Sequence, residues 1–166
     1  MRYQQFNERY IIRLQTGESV MTALGEFLAA EGIEFTNINA AGALEYVRLG
    51  YWNPISKQYE YHEFEEQLEV VSLLGNAALK DGKPFLHIHG SFGRQNFTVI
   101  GGHVKEARVR PTLEVWLRTE NLPVRRTKDP ATGLDLLDLP EPEDMVRIPF
   151  PDKSISETEL DADDFI

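Results

Sequence analysis

What most limits this chain is where its helical pattern stops. Val20, Leu24, Phe27 and Leu28 recur at helical spacing between Glu18 and Glu31, and Gly32 is placed to end the helix. After Gly32 the pattern changes to short runs rich in β-branched and aromatic residues, punctuated by Pro, Gly, Asn and Asp. The runs are Ile33–Ile38, Leu44–Trp52, Gln58–Phe64, Gln67–Leu74, Phe85–Phe92, Phe97–Ala107 and Thr112–Thr119, with Asp135–Leu139 as a last short piece. Ahead of the helix, Tyr10-Ile-Ile-Arg-Leu14 reads as a strand that Thr16-Gly17 breaks. One helix among this many strands implies an α+β fold: a mostly antiparallel, curled sheet of about seven strands with one main amphipathic helix. Between two of the runs, Ala40-Ala41-Gly42-Ala43 calls for close backbone packing or a tight turn.

The chain has 166 residues, enough for one domain with a real core, and shows no internal repeat. We expect a single domain over residues 1–150, whose last part, Pro140 to Pro151, is a proline-rich extended strap. An acidic tail follows at 151–166, PDKSISETELDADDFI, with six acids and one base. It reads as a solvated segment, with docking through Phe165-Ile166 as the alternative. The net charge of −10 argues against a bare nucleic-acid binder, because phosphate binding needs a basic face. The small basic cluster Arg125-Arg126-Thr127-Lys128 reads as a solvated loop, with a phosphate site as the alternative. No run of 18 apolar residues occurs, and MRYQQFNERYIIRL lacks the apolar core of a signal peptide, so the expected address is the cytoplasm. With no cysteine, a metal site would have to use His, Asp or Glu.

Three of the four histidines fall in PFLHIHGSFGRQNFTVIGGHV, Pro84 to Val104. Residues i and i+2 of a strand share a face, so His87 and His89 point the same way. Gly93-Arg94-Gln95-Asn96 reads as a hairpin turn. Centred on Gln95, it sets His87 opposite His103 and brings all three imidazoles to one face, about 4.5–5.5 Å apart at Cβ. A slip of one residue would send His103 to the other side, and Gly101-Gly102 could bulge and re-aim it. Three neutral imidazoles with an open fourth position suit Zn²⁺ best among first-row metals. With water there the site could be hydrolytic; capped by a ligand or another subunit it would be structural or sensory. The plainer alternative is three ordinary sheet histidines. Glu114, on the next strand, is the nearest candidate general base in sequence and otherwise a solvent-facing glutamate. His62, among Tyr59, Tyr61 and Phe64, reads as a surface strand residue. No G-x-S-x-G elbow, phosphate loop or dinucleotide fingerprint occurs.

In order and spacing, these pieces resemble the PPC domain family shared by plants and prokaryotes. The resemblance runs from about Tyr10 to about Leu139. It is carried by Tyr10-Ile-Ile-Arg-Leu14 with Gly17-Glu18, Gly42-Ala43-Leu44, Val47-x-Leu49-Gly50-Tyr51, Leu68-Glu-Val-Val-Ser-Leu-Leu-Gly75, His87-x-His89 and Gly101-Gly102-His103. The resemblance implies a homotrimer. It also implies a metal role for His87, His89 and His103, with Gly101 and Gly102 as backbone beside the site. Plant members carry the domain behind AT-hooks and act in DNA binding and transcription; this chain has no R-G-R-P hook. Family members often have an Asp-Gly turn before G-G-H, where this chain has Gly93-Arg-Gln-Asn-Phe97. The first functional expectation is therefore a non-enzymatic homotrimeric module with a three-histidine metal site, most naturally zinc. By resemblance it is associated with DNA or a protein partner, but on its own it should bind DNA weakly. The alternatives are a metal-dependent hydrolase or small-molecule binder at the same site, and a ligand-free scaffold.

Overall fold

The computed structural model describes residues 1–122 and 124–140. Its elements are β1 (Arg2–Phe6), β2 (Arg9–Gln15), α1 (Val20–Ala30), β3 (Thr36–Asn53), β4 (Gln58–Phe64), β5 (Leu68–Lys80), β6 (Lys83–Gly93), β7 (Val99–Thr119), β8 (Arg125–Lys128) and β9 (Asp135–Asp138). The expected α+β class holds: among the described residues one helix lies beside a largely antiparallel sheet, which has nine strands where about seven are expected. The strap beyond Pro140 and the acidic segment 151–166 lie outside the described residues.

The count differs for physical reasons. Ile33–Ile38 and Leu44–Trp52 are one strand, β3. Ala40 to Leu44 is not a turn but a run of register irregularities that bends the strand without ending it. The close packing foreseen there is present, since a Cβ on Gly42 would run into Thr112 O. In the same way Phe97–Ala107 and Thr112–Thr119 are the two halves of β7. Two strands carry no strong sequence signal: β1, exposed along its length, and the four-residue β8.

The helix forms as its pattern indicates. Ser19 caps its N-terminus by accepting from Thr22 N, and Val20, Leu24, Phe27 and Leu28 are buried. At the other end Gly32 turns left-handed at φ 65°, and Ile33 N donates back to Leu28 O at 2.9 Å. Residues Ile33–Phe35 therefore finish the helix cap instead of starting β3. The helix packs against β6 and β7.

Because β3 and β7 are long and bent, each pairs on different neighbours along its two halves. The pairings β3–β5, β5–β6, β6–β7 and β7–β3 close on themselves, so the sheet curls into a ring. Ile88, Phe92, Leu44, Val47, Leu73, Val104 and Val109 fill its interior. Alternation along each strand then puts the residues between these on the outer wall. The histidines stand on that wall.

Candidate functional site

His89 pairs directly with His103 across β6 and β7, and His87 lies two residues back along β6, beside Asn76 of β5. The expected partner of His103 is His87, so the register is displaced by two residues. The cause is the loop. Gly93 pairs with Val99, leaving Arg94–Thr98 as a five-residue connection in which Asn96 Oδ1 accepts from Thr98 N and Phe97 sits at φ 62°. An even displacement keeps every side chain on its face, so the convergence survives. Gly101 and Gly102 do not bulge; the pairing is continuous from Gly93↔Val99 to His89↔His103. A Cβ on Gly101 would stand 2.9 Å from Gly90 O, and one on Gly102 2.9 Å from Gly50 O, so this pair lets three strands meet closely beneath the imidazoles.

The three rings form a triangle with centroids 5.1, 5.4 and 5.4 Å apart. One ring nitrogen from each lies within 4.8 Å of the others, and His87 Nε2 is 3.2 Å from His89 Nε2. Nitrogens bound to one tetrahedral zinc at about 2.0–2.1 Å sit roughly 3.3 Å apart. The existing separations therefore need only small ring rotations. Burial lowers the His103 pKa to about 4, helped by its histidine neighbours. His87 is lowered too, first by burial and then by the Arg126 charge. Both are neutral near pH 7, with a lone pair free to ligate. His103 Nδ1 is buried and unpartnered. The donor set fits a borderline first-row ion.

A second layer encloses the triangle. Gly50 pairs with both His103 and Tyr61, and a Cβ there would stand 2.9 Å from the Tyr59 and Tyr61 rings. Its absence lets the two tyrosines lean across β3, so that Tyr59 reaches His103 at 4.9 Å between centroids. From the opposite side, the β8–β9 hairpin brings Arg126. Its residue is only 6% exposed. Its Nη1 donates to Asp135 O and its Nη2 to Asn76 Oδ1, each at 2.7 Å, and Nη2 lies 3.4 Å from His87 Nδ1. Trp52, Lys57, Tyr59, Phe85, Leu134 and Leu136 complete a pocket of about 290 Å³ beside His87 and His103.

Two sequence expectations are corrected here. The Arg125–Lys128 cluster is not a solvated loop, because Arg126 is buried at the site. The turn that delivers it was readable: in Asp129-Pro-Ala-Thr-Gly133, Asp129 accepts from Thr132 N and Oγ1. Glu114 is not near the histidines. It pairs with Arg13 and Ala41, nine residues along β3 from Gly50, a path of about 30 Å at strand rise. The carboxylate that does line the pocket is Asp135. His62 is an exposed strand residue, as expected.

Residues 1–121 match the model of the Plants and Prokaryotes Conserved (PCC) domain. A plant- and prokaryote-conserved (PPC) protein from Pyrococcus horikoshii superposes with a TM-score of 0.75 at 31% identity, covering 84% of this chain and 96% of that one. A metal-containing protein from Archaeoglobus fulgidus gives 0.73 at 34% identity, covering 82% and 97%. A protein from Bacteroides thetaiotaomicron named for DNA binding gives 0.80 at 28%, covering 82% and 96%. No curated protein sequence matches the chain.

Proposed function

Because the chain belongs to the Plants and Prokaryotes Conserved domain family, we propose that it is a non-enzymatic, homotrimeric module whose His87, His89 and His103 hold one first-row metal ion, most naturally zinc. The observation that carries this reading is the convergence of three imidazole nitrogens within 4.8 Å on adjacent strands of the closed ring. Burial supports it by keeping two of the three rings neutral. A bound zinc would supply a positive centre with one open position. The relative from Archaeoglobus fulgidus, named as metal-containing, points the same way.

Self-association is supported by an outward row that crosses the sheet. Ile11, Trp116, Asn39, Leu74 and His89 pair in succession across β2, β7, β3, β5 and β6. Ile11, Trp116 and Leu74 are 53%, 42% and 54% exposed. An apolar stripe of this kind, running up to a histidine of the site, is a surface that other copies would cover. The relative named for DNA binding brings nucleic acid into consideration. At a net charge of −10 we assign such a role to a complex with another protein and not to this chain alone.

The second reading, a small-molecule binder at the same centre, is favoured by the pocket that Arg126 and the aromatic residues form beside the histidines. A hydrolase would need a base, and Asp135 takes the place that sequence order gave to Glu114.

Elemental analysis of tag-free protein tests the metal. The expected result is about one zinc per chain, lost in His87→Ala/His89→Ala with the circular dichroism unchanged. Protein that takes up no zinc after incubation and dialysis would overturn the reading. Light scattering of Trp116→Glu tests assembly, with a fall in mass from three chains toward one expected. A wild-type protein that already runs as one chain would refute the trimer.

A further inference from the structure

Of the four buried side-chain N or O atoms without a hydrogen-bond partner among the described residues, three belong to the pocket beside the histidines. They are His103 Nδ1, Arg126 Nε and Asp135 Oδ1. Such atoms are scarce in folded proteins, and three on the residues of one pocket mark a wall whose polar groups the chain itself does not fully pair. Charge gives its sign. Around the pocket stand Lys57, Lys80 and Arg126 against Asp135, and Asp135 is already engaged by Lys80 at 2.7 Å. This leaves a positive excess before any metal is counted. Lys57 Nζ donates to Ala131 O, and its charge is partly offset by Asp129 of the β8–β9 turn, whose pKa it helps to lower, so the remaining excess rests on Arg126. Arg126 is only 6% exposed, so its charge is largely desolvated, and the Asp135 carboxylate is already held by Lys80. A desolvated cation beside a site for a second cation needs an anion.

Shape gives the rest. Trp52, Tyr59, Phe85, Leu134 and Leu136 make the walls apolar and largely aromatic. At about 290 Å³ the space sits at the low end for small-molecule sites. Guanidinium has five N–H donors in a fork matched to carboxylate oxygens. Here Nη1 and Nη2 are each committed once, to Asp135 O and Asn76 Oδ1, Nη2 also approaches His87 Nδ1, and Nη1 keeps a second hydrogen. We propose that the pocket between the β8–β9 hairpin and the three histidines binds a small organic carboxylate. Arg126 holds its carboxylate, the aromatic walls hold its apolar body, and an ion held by His87, His89 and His103 would supply a second positive contact to its oxygens. The last contact rests on the metal reading above; the contact to Arg126 does not.

The test is calorimetric titration of the full chain, with zinc content measured beforehand. Benzoate is the probe, benzamide its uncharged isostere, and inorganic phosphate the anion without an apolar body. We expect benzoate to bind at least tenfold more tightly than benzamide or phosphate. We also expect Arg126→Lys to weaken benzoate at least tenfold while retaining its zinc. Equal affinity for benzoate and benzamide, or tighter binding of phosphate, overturns the proposal, and so does the absence of benzoate binding to zinc-loaded protein. The wild-type comparison decides even if the variant does not fold. If the protein takes up no zinc, the metal reading fails by itself. Discrimination between benzoate and benzamide by the metal-free chain then still supports the Arg126 contact, and its absence refutes it.

Discussion

Acid should weaken the metal-free fold through one imidazole more than any other. His103 holds a pKa of about 4 because it is buried among other basic groups, against roughly 6.5 in an unfolded chain. The folded state thus keeps His103 neutral over a range where the unfolded state takes up its proton. Its contribution is fully present above about pH 6.5 and is lost as the pH falls toward 4. Each pH unit between these limits costs about 1.4 kcal/mol, so a step from pH 7 to pH 5 removes about 2 kcal/mol. His87, lowered for the same first reason, adds in the same direction. The assay is urea denaturation of chelator-treated protein at both pH values and a fixed protein concentration, for wild type and His103→Gln. The wild type should lose about 2 kcal/mol more between pH 7 and 5 than the variant does. Equal losses would refute the assignment, because the acid sensitivity would then lie elsewhere. Comparing pH differences within each protein removes the cost of the substitution itself.

Two further substitutions probe how the site is supported. Gly50→Val should push the Tyr59 and Tyr61 rings off the His103 side of β3, costing about 1–3 kcal/mol in the same denaturation assay. It should also lower zinc affinity; a variant with unchanged zinc affinity would mean that Tyr59 does not position His103. Leu24→Ala, at a fully buried helix position facing the ring, should cost about 2–5 kcal/mol and leave zinc affinity alone. A loss of zinc affinity at constant fold would show that the helix bears on the site.

The curled antiparallel sheet and the histidine cluster were legible because both rest on period-two alternation. Once Phe85–Phe92 is extended, His87 and His89 share a face whatever happens at the turn. An error of two residues in the hairpin register leaves that face intact. The local pattern could not show that β3 and β7 each run through a bend. Whether Ala40-Ala41-Gly42 or Arg110-Pro111 ends a strand depends on the partners that hold it, and those are about 30 residues away on β5 and about 65–75 across the β3–β7 pairing. Arg126 was missed for a related reason. A short basic run is ordinarily a solvated loop, and only the pairing of Arg126 with Leu137 and the bond to Asn76 turn it inward. Tyr59 was seen as part of an aromatic strand. Its reach to His103 depends on a missing side chain at Gly50, which no pattern in β4 records.

The closed ring also orders events in time. The β6–β7 hairpin that carries all three histidines is local, with His89 and His103 separated by a short loop. Closing the ring requires β3 to find β7 across 53 residues at Gly50↔His103 and 83 at Thr36↔Thr119. Loop-closure entropy and high contact order make that step slow. Until β7 has been synthesised, β3 exposes the backbone edge that β7 will cover, so a nascent chain passes through a stage open to pairing with its neighbours. The same joint that makes the finished wall rigid is the last to be made.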